Sequence, residues 1–255
     1  MKSYWEKIQL ISIFGMVLLG ILGYYPMILM TPVAAIPIAF SPPPPPPDRG
    51  AAGDRGGAAS RGCGVSNQSI IALVPVYKET LKPGQTEVVS VTKVWGLTTE
   101  EYPSFWFFVP YQKSAINSIE FVLQDESSKP SQTLSRTTVT IPEVPGIISI
   151  RLNPTTPPLQ VDKMYHWFFK MKIICNPQQP PEWKYVEGWV QRVNLYAKNS
   201  IWYDALTTLA ELRLAKPKDP TLAVEWMNLL KSVDLENLAK QPLIKCCQTN
   251  AKQQK

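Results

Sequence analysis

Between Ser69 and Val193 the chain breaks into short alternating or apolar runs divided by Pro, Gly, Asn and Asp, with no helical stretch among them. The runs are Ser69 to Val76, Thr86 to Val94, Phe105 to Val109, Ser118 to Gln124, Thr133 to Ile141, Gly146 to Leu152, Tyr165 to Cys175 and Tyr185 to Val193. Strands of this length cannot bury their apolar faces alone. Seven or eight of them in succession are satisfied by two sheets packed face to face. The expected architecture is therefore mainly β with α: an antiparallel immunoglobulin-like or fibronectin-like β-sandwich over 69–193, followed by a helical hairpin over 194–243.

The run after the turn at Asp162-Lys163 carries the most information. Tyr165, Trp167, Phe169, Met171, Ile173 and Cys175 share one face of a strand and belong in the core. His166, the only histidine, alternates to the opposite face with Lys170 and Lys172, and that face is expected to be wet. In the run Phe105 to Val109, Phe105, Phe107 and Val109 can enter the core. Trp106 and Phe108 are left on the other side, as an exposed recognition surface or as a face covered by the helical segment.

The 25 prolines have an address. Nine fall early, and the run Pro42 to Pro47 fixes an extended rod that belongs to no core. Asp48-Arg-Gly, Asp54-Arg-Gly and Ser60-Arg-Gly follow it, so residues 41–68 are expected to be a disordered spacer. Upstream, Lys2 and Lys7 precede a charge-free stretch over residues 8–30, with Val33-Ala-Ala35 after it. This is the anatomy of an export signal. Residues 1–40 read as a cleaved signal peptide or an uncleaved N-terminal membrane anchor, with a buried helix as the remaining option.

Export would place the chain where disulfides persist, and Cys63 and Cys175 flank the β-rich region, so they are expected to bridge or to stay as buried thiols. Cys246 and Cys247 are expected to be exposed tail thiols, or paired between chains, because neighbouring cysteines seldom bridge each other. Residues 244–255 read as a basic disordered tail.

Two helices account for 194–243. Ser200 can cap one with the stripe Ile201, Trp202, Ala205, Leu206, Leu209 and Leu212. Asp219 can cap the next, with Pro220 in its first turn. A third short helix is expected from Asp234 to Lys240.

Chemistry is constrained by scarcity. The net charge of +6 is diffuse rather than a stripe, which argues against nucleic acid. One histidine without a Gly-x-Ser-x-Gly turn argues against nucleophilic catalysis. The spacing of histidine and cysteine matches no zinc site, and no cofactor or metal is expected. The remaining enzymatic option is a carboxylate-dependent hydrolase using Glu100-Glu101 or Asp125-Glu126. The leading expectation is a non-enzymatic interaction module, exported to the periplasm or cell envelope, whose partner is an envelope protein or a glycan. A glycan-binding module that stacks sugars on Trp106 is the alternative.

Several strings are specific. The hexaproline with its Asp-Arg-Gly repeats and Cys63, Trp95-Gly-Leu-Thr-Thr, Phe105-Trp-Phe-Phe-Val-Pro-Tyr, Phe121-Val-Leu-Gln-Asp-Glu, Tyr165-His-Trp-Phe-Phe, Glu187-Gly-Trp-Val and Ile201-Trp-Tyr-Asp-Ala-Leu are among them. Together they resemble the cyanobacterial family called domain of unknown function 928, over roughly Ser41 to Leu243. The connection from Val193 to Ile201 is shorter than that resemblance implies. The family carries no established activity, so the resemblance implies a domain and no catalytic residue.

Overall fold

The alternating runs become strands in a computed structural model, which describes residues 40, 53–56, 68–81, 89–127, 129–194 and 201–247. The strands are β1 (Ile71–Ala72), β2 (Val76–Leu81), β3 (Val89–Thr98), β4 (Ser104–Val109), β5 (Ile116–Asp125), β6 (Gln132–Val139), β7 (Gly146–Arg151), β8 (Met164–Ile173) and β9 (Glu182–Arg192). Two helices follow, α1 (Trp202–Ala215) and α2 (Pro220–Lys231). The fold is thus mainly β with two C-terminal helices. Of the two units into which the chain divides, Met1–Ile36 lies outside the described residues, and with it the apolar segment 8–30. Among the described residues no helix is long and apolar enough to cross a membrane.

Six strands form one sheet in the order β2-β3-β9-β8-β5-β6, and three form another, β1-β4-β7. The expectation of an all-antiparallel arrangement needs correction: β3 and β9 run parallel, with Trp95 opposite Trp189. The first expected run, Ser69 to Val76, holds β1 and only the first residue of β2, which continues to Leu81 beyond any run expected from the sequence. Leu73 N–H still bonds to Trp106 O at 2.9 Å, but Pro75 has no N–H to continue the ladder, and the chain crosses there from the small sheet to the large one.

Period-two alternation decides which side of β8 is dry. Tyr165, Trp167, Phe169, Met171 and Ile173 are all buried. They meet β4 of the small sheet, where Phe107 stacks on Phe169 with centroids 4.2 Å apart and Phe105 lies 4.8 Å from Phe121 of β5. Each such ring contributes about 1.5–3 kcal/mol through burial alone.

Three consecutive residues dock α1. The Trp202 indole N–H donates to Leu73 O at 2.7 Å, and its ring meets Phe40 edge-on at 4.8 Å. Tyr203 Oη accepts from Trp167 Nε1 at 2.8 Å and donates to Trp189 O at 3.2 Å. Asp204 accepts from Thr98 Oγ1 at 2.6 Å and from Thr99 N at 2.9 Å. The buried stripe therefore differs from the one expected: Tyr203 and Ala210 are buried with Trp202 and Leu206, while Leu212 is exposed. Ser200 lies outside the described residues. Asp219 caps α2 as expected, accepting from Thr221 N at 2.9 Å, with Pro220 in the first turn. The expected third helix is a single 3-10 turn, Glu236–Leu238.

The expected spacer needs correction at residues 53–56. Gly53 N–H bonds to Thr92 O at 3.1 Å and Glu187 N–H to Asp54 O at 2.9 Å, so these residues fill the gap where β3 and β9 diverge. Arg55 turns inward and donates to Val233 O at 2.7 Å and Val74 O at 3.3 Å. Gly56 adopts φ +85, and a Cβ there would lie 2.0 Å from Ile70 O, so only glycine fits. The Asp-Arg-Gly triplet is here part of the sheet; the hexaproline lies outside the described residues.

The tail is ordered further than expected. Ile244 N–H and Ile147 O, and Ile147 N–H and Pro242 O, bond at 2.8 Å, which lays residues 242–244 along β7. Cys246 and Cys247 are bonded to each other, against the expectation of free or intermolecular thiols. Cys175 is disulfide-bonded, and Cys63 lies outside the described residues.

Candidate functional site

Trp106 and Phe108 do not form an exposed surface. They are 2% and 1% exposed, because α1 crosses the outer face of the small sheet and Thr207 Oγ1 accepts the Trp106 indole N–H at 3.0 Å. The covering alternative describes them. Beyond Trp106 the outer side of that sheet is hollowed, with spaces of ≈ 210, 320 and 550 Å³ sharing walls made by Ser149, Arg151, Glu211 and the Cys246–Cys247 pair. Glu100 lines the smallest of them beside Asp204 and Glu211.

The acids proposed for hydrolysis do not converge. Asp125 is buried and ion-paired with Lys163, while its neighbour Glu126 points to the other side of the sheet and bonds to His166. Burial pushes the Asp125 carboxyl up, but hydrogen bonds from Lys163 and Ser127, together with the lysine charge, outweigh it and hold the group below its ordinary value. An acid so held stays ionised and is unsuited to donating a proton near neutrality. Glu101 pairs with Arg192 at 3.2 Å. Among the described residues no cluster of His, Cys, Asp and Glu could hold a metal ion.

The opposite face of the large sheet is where side chains with recognition chemistry gather. Outward positions of β8 and β9 meet rung by rung: His166 with Trp189, Phe168 with Glu187, Lys170 with Tyr185, and Lys172 with Trp183. Alternation forces this, since Val186 and Val190 fill the core from the same strand. Every rung joins an aromatic ring to a charged or ionisable group.

The ladder is graded along its length. At one end it is closed: Trp95, Leu97 and Met164 are buried, with Tyr77 and Trp189 packed against them. His166 is 9% exposed, so the expectation of a wet histidine is corrected. Its ring stacks on Trp189 at 4.3 Å and lies 4.1 Å from Phe168. Nδ1 is 2.7 Å from Glu126 Oε1, and Nε2 is 3.2 Å from Glu187 Oε2 in a geometry that makes no hydrogen bond. The imidazole is a strut between two carboxylates and two aromatic rings.

At the other end the ladder opens. Trp183 is 52% exposed and Tyr185 54%, two residues apart on one face. Lys172 lies 4.8 Å from the Trp183 centroid and Lys170 5.1 Å from that of Phe168. Glu120, opposite Lys170 in register, turns instead to Arg136 at 2.7 Å, and neither lysine has a carboxylate partner among the described residues. Sequence reading placed the two lysines on this face but missed Trp183 and Tyr185. The signal that could have found them is the odd-numbered apolar set Trp183, Tyr185 and Trp189, opposite in phase to Val186 and Val190.

A family model described as Domain of Unknown Function (DUF928) matches residues 56–195 and 191–243, two stretches that overlap over 191–195. No curated protein matches the chain, and no solved structure does.

Proposed function

The chain belongs to the family Domain of Unknown Function (DUF928), and from that premise we propose a non-enzymatic recognition module that binds a glycan on the open end of the large sheet. The observation that carries this reading is the pair of half-exposed rings, Trp183 and Tyr185, side by side on one sheet face. Flat rings held by a sheet suit the C–H faces of sugars, and large exposed aromatics are otherwise costly to leave in water. Asp125, Glu126 and Glu101, by contrast, are engaged separately by Lys163, His166 and Arg192, which favours binding over turnover.

The module is placed outside the cytoplasm in this reading, in the periplasm or cell envelope, with residues 8–30 as export signal or anchor. Cys63 and Cys175 form its bridge. The scaffold is taken as an immunoglobulin-like or fibronectin-like sandwich capped by a helical hairpin. Recovery of the full chain from the cytoplasm with an intact N-terminus and free Cys63 and Cys175 would refute the placement.

Binding is tested on a glycan array with the wild type and a Trp183→Ala, Tyr185→Ala double variant. Stacking on each ring is worth about 1 kcal/mol, so the variant is expected to bind at least tenfold more weakly. Equal binding by both proteins, or none by the wild type, would overturn the reading.

A further inference from the structure

We infer that the glycan is acidic: a polysaccharide carrying carboxylate or sulfate groups. The inference rests on the glycan reading above and adds the charge of the ligand to it.

Two ammonium groups at the open end, Lys170 and Lys172, have no carboxylate partner among the described residues. Lys172 and Lys170 stand in register with Trp183 and Tyr185, so each exposed ring has a cation directly across the ladder. Among the described residues these ammonium groups meet ring faces, at 4.8 and 5.1 Å, contacts that hold a lysine weakly and do not use its N–H donors. Glu120 would neutralise Lys170, yet it is committed to Arg136. The arrangement offers a ring and a free ammonium at successive rungs, about 7 Å apart along the strands. A sugar that stacks on one and presents an anion to the other satisfies both.

Charge density favours a glycan over other anionic polymers. Glu187 lies on the same face beside Phe168, and Glu126 beside His166. A single-stranded nucleic acid, with a phosphate at every nucleotide, would meet those carboxylates as well as the lysines, and its binding relies on many cations in a groove. An acidic polysaccharide spreads its charge over larger units and can pass the glutamates with neutral rings. A lipid surface would need an apolar face with a basic rim, whereas the flanking positions here are Glu120, Arg136 and Glu187.

The test uses pairs of polymers that differ only in charge: polygalacturonate against its methyl ester, and a sulfated galactan against its desulfated form. Binding of the full chain is measured by calorimetry, with poly(dT) and phosphatidylglycerol vesicles alongside. The expected result is a preference of about tenfold for at least one acidic polymer over its neutral partner, from two exposed ion pairs. Lys170→Gln with Lys172→Gln should abolish that preference and leave binding of the neutral polymer unchanged. Trp183→Ala with Tyr185→Ala should weaken both. All four side chains lie on the outer face, and an unchanged circular dichroism spectrum and melting temperature confirm that the variants fold.

Equal binding of charged and neutral polymers, or an unaltered preference in the lysine variant, would overturn the acidic assignment while leaving the glycan reading in place. Binding of poly(dT) or vesicles with no polysaccharide bound would overturn both, as would the absence of binding to any probe.

Discussion

Replacing Tyr203 by Phe removes one oxygen and should cost more than most surface substitutions in this chain. Tyr203 is 1% exposed and Trp167 is fully buried; the hydroxyl accepts from the Trp167 indole N–H at 2.8 Å and donates to Trp189 O at 3.2 Å. Phenylalanine keeps the ring in place against Phe105, 5.3 Å away, so little packing is lost. What remains is an indole N–H in the core with no acceptor, a loss of about 1–3 kcal/mol. Taking about 2 kcal/mol, the melting temperature should fall by roughly 4–8 °C for a domain of this size. Urea unfolding followed by near-ultraviolet circular dichroism, with disulfides intact, measures the difference directly. In a cycle with Trp167→Phe, the two changes should be less than additive by about 1 kcal/mol, because each removes the same bond. A loss below about 0.5 kcal/mol at unchanged m-value, or strict additivity, would refute the idea that this bond anchors α1 to the sheets.

Two further outcomes follow from the same structure. Arg55→Ala should destabilise the domain by about 2 kcal/mol, since Val233 O and Val74 O lose a charged donor; hydrogen exchange at Glu187, whose amide bonds to Asp54 O, should accelerate, and unchanged protection would mean the Asp-Arg-Gly triplet is not integrated. For the Asp125–Lys163 pair, the aspartate is held below its unfolded pKa of 3.8 and the lysine, mainly by its hydrogen bond to Asp125, above 10.5. Its contribution is therefore present between those values, lost as pH falls below 3.8 and lost again as pH rises beyond 10.5. Asp125→Asn should flatten the acid limb of a stability–pH curve and lower stability at pH 7, and an unchanged limb would count against the pairing.

Much of the architecture is legible because strand periodicity is a local property. The inward set Tyr165, Trp167, Phe169, Met171 and Ile173 is visible as alternation in one run of chain, and all of it is buried. Capping is local too, so Asp219 and Pro220 announce α2 without reference to anything else. The stripe of α1 is less legible, because Trp202, Tyr203 and Asp204 each bond to a different element, and no helical period encodes three partners.

The candidate site was harder to find for the same reason. Trp106 and Trp183 are both tryptophans on outward strand positions. One is covered because α1 lies on the small sheet and supplies Thr207, and the other is open because nothing among the described residues pairs with it in that way. His166 reads as wet from its lysine neighbours at Lys170 and Lys172, yet β9 brings Trp189 and Glu187 beside it and closes the space. Alternation assigns a side chain to one of two faces; it carries no information about what is laid over that face.

The sequence alone therefore determined most of the strands (β2 excepted), the two longer helices, the dry face of β8 and the shortage of catalytic groups, all of which depend on residue type and near spacing. Tertiary structure decided the parallel pairing of β3 with β9, the insertion of residues 53–56 between them, the bonding of Cys246 to Cys247, and which aromatics face water. These depend on which distant segments meet, and that follows from the combined burial of many side chains rather than from any one stretch of chain.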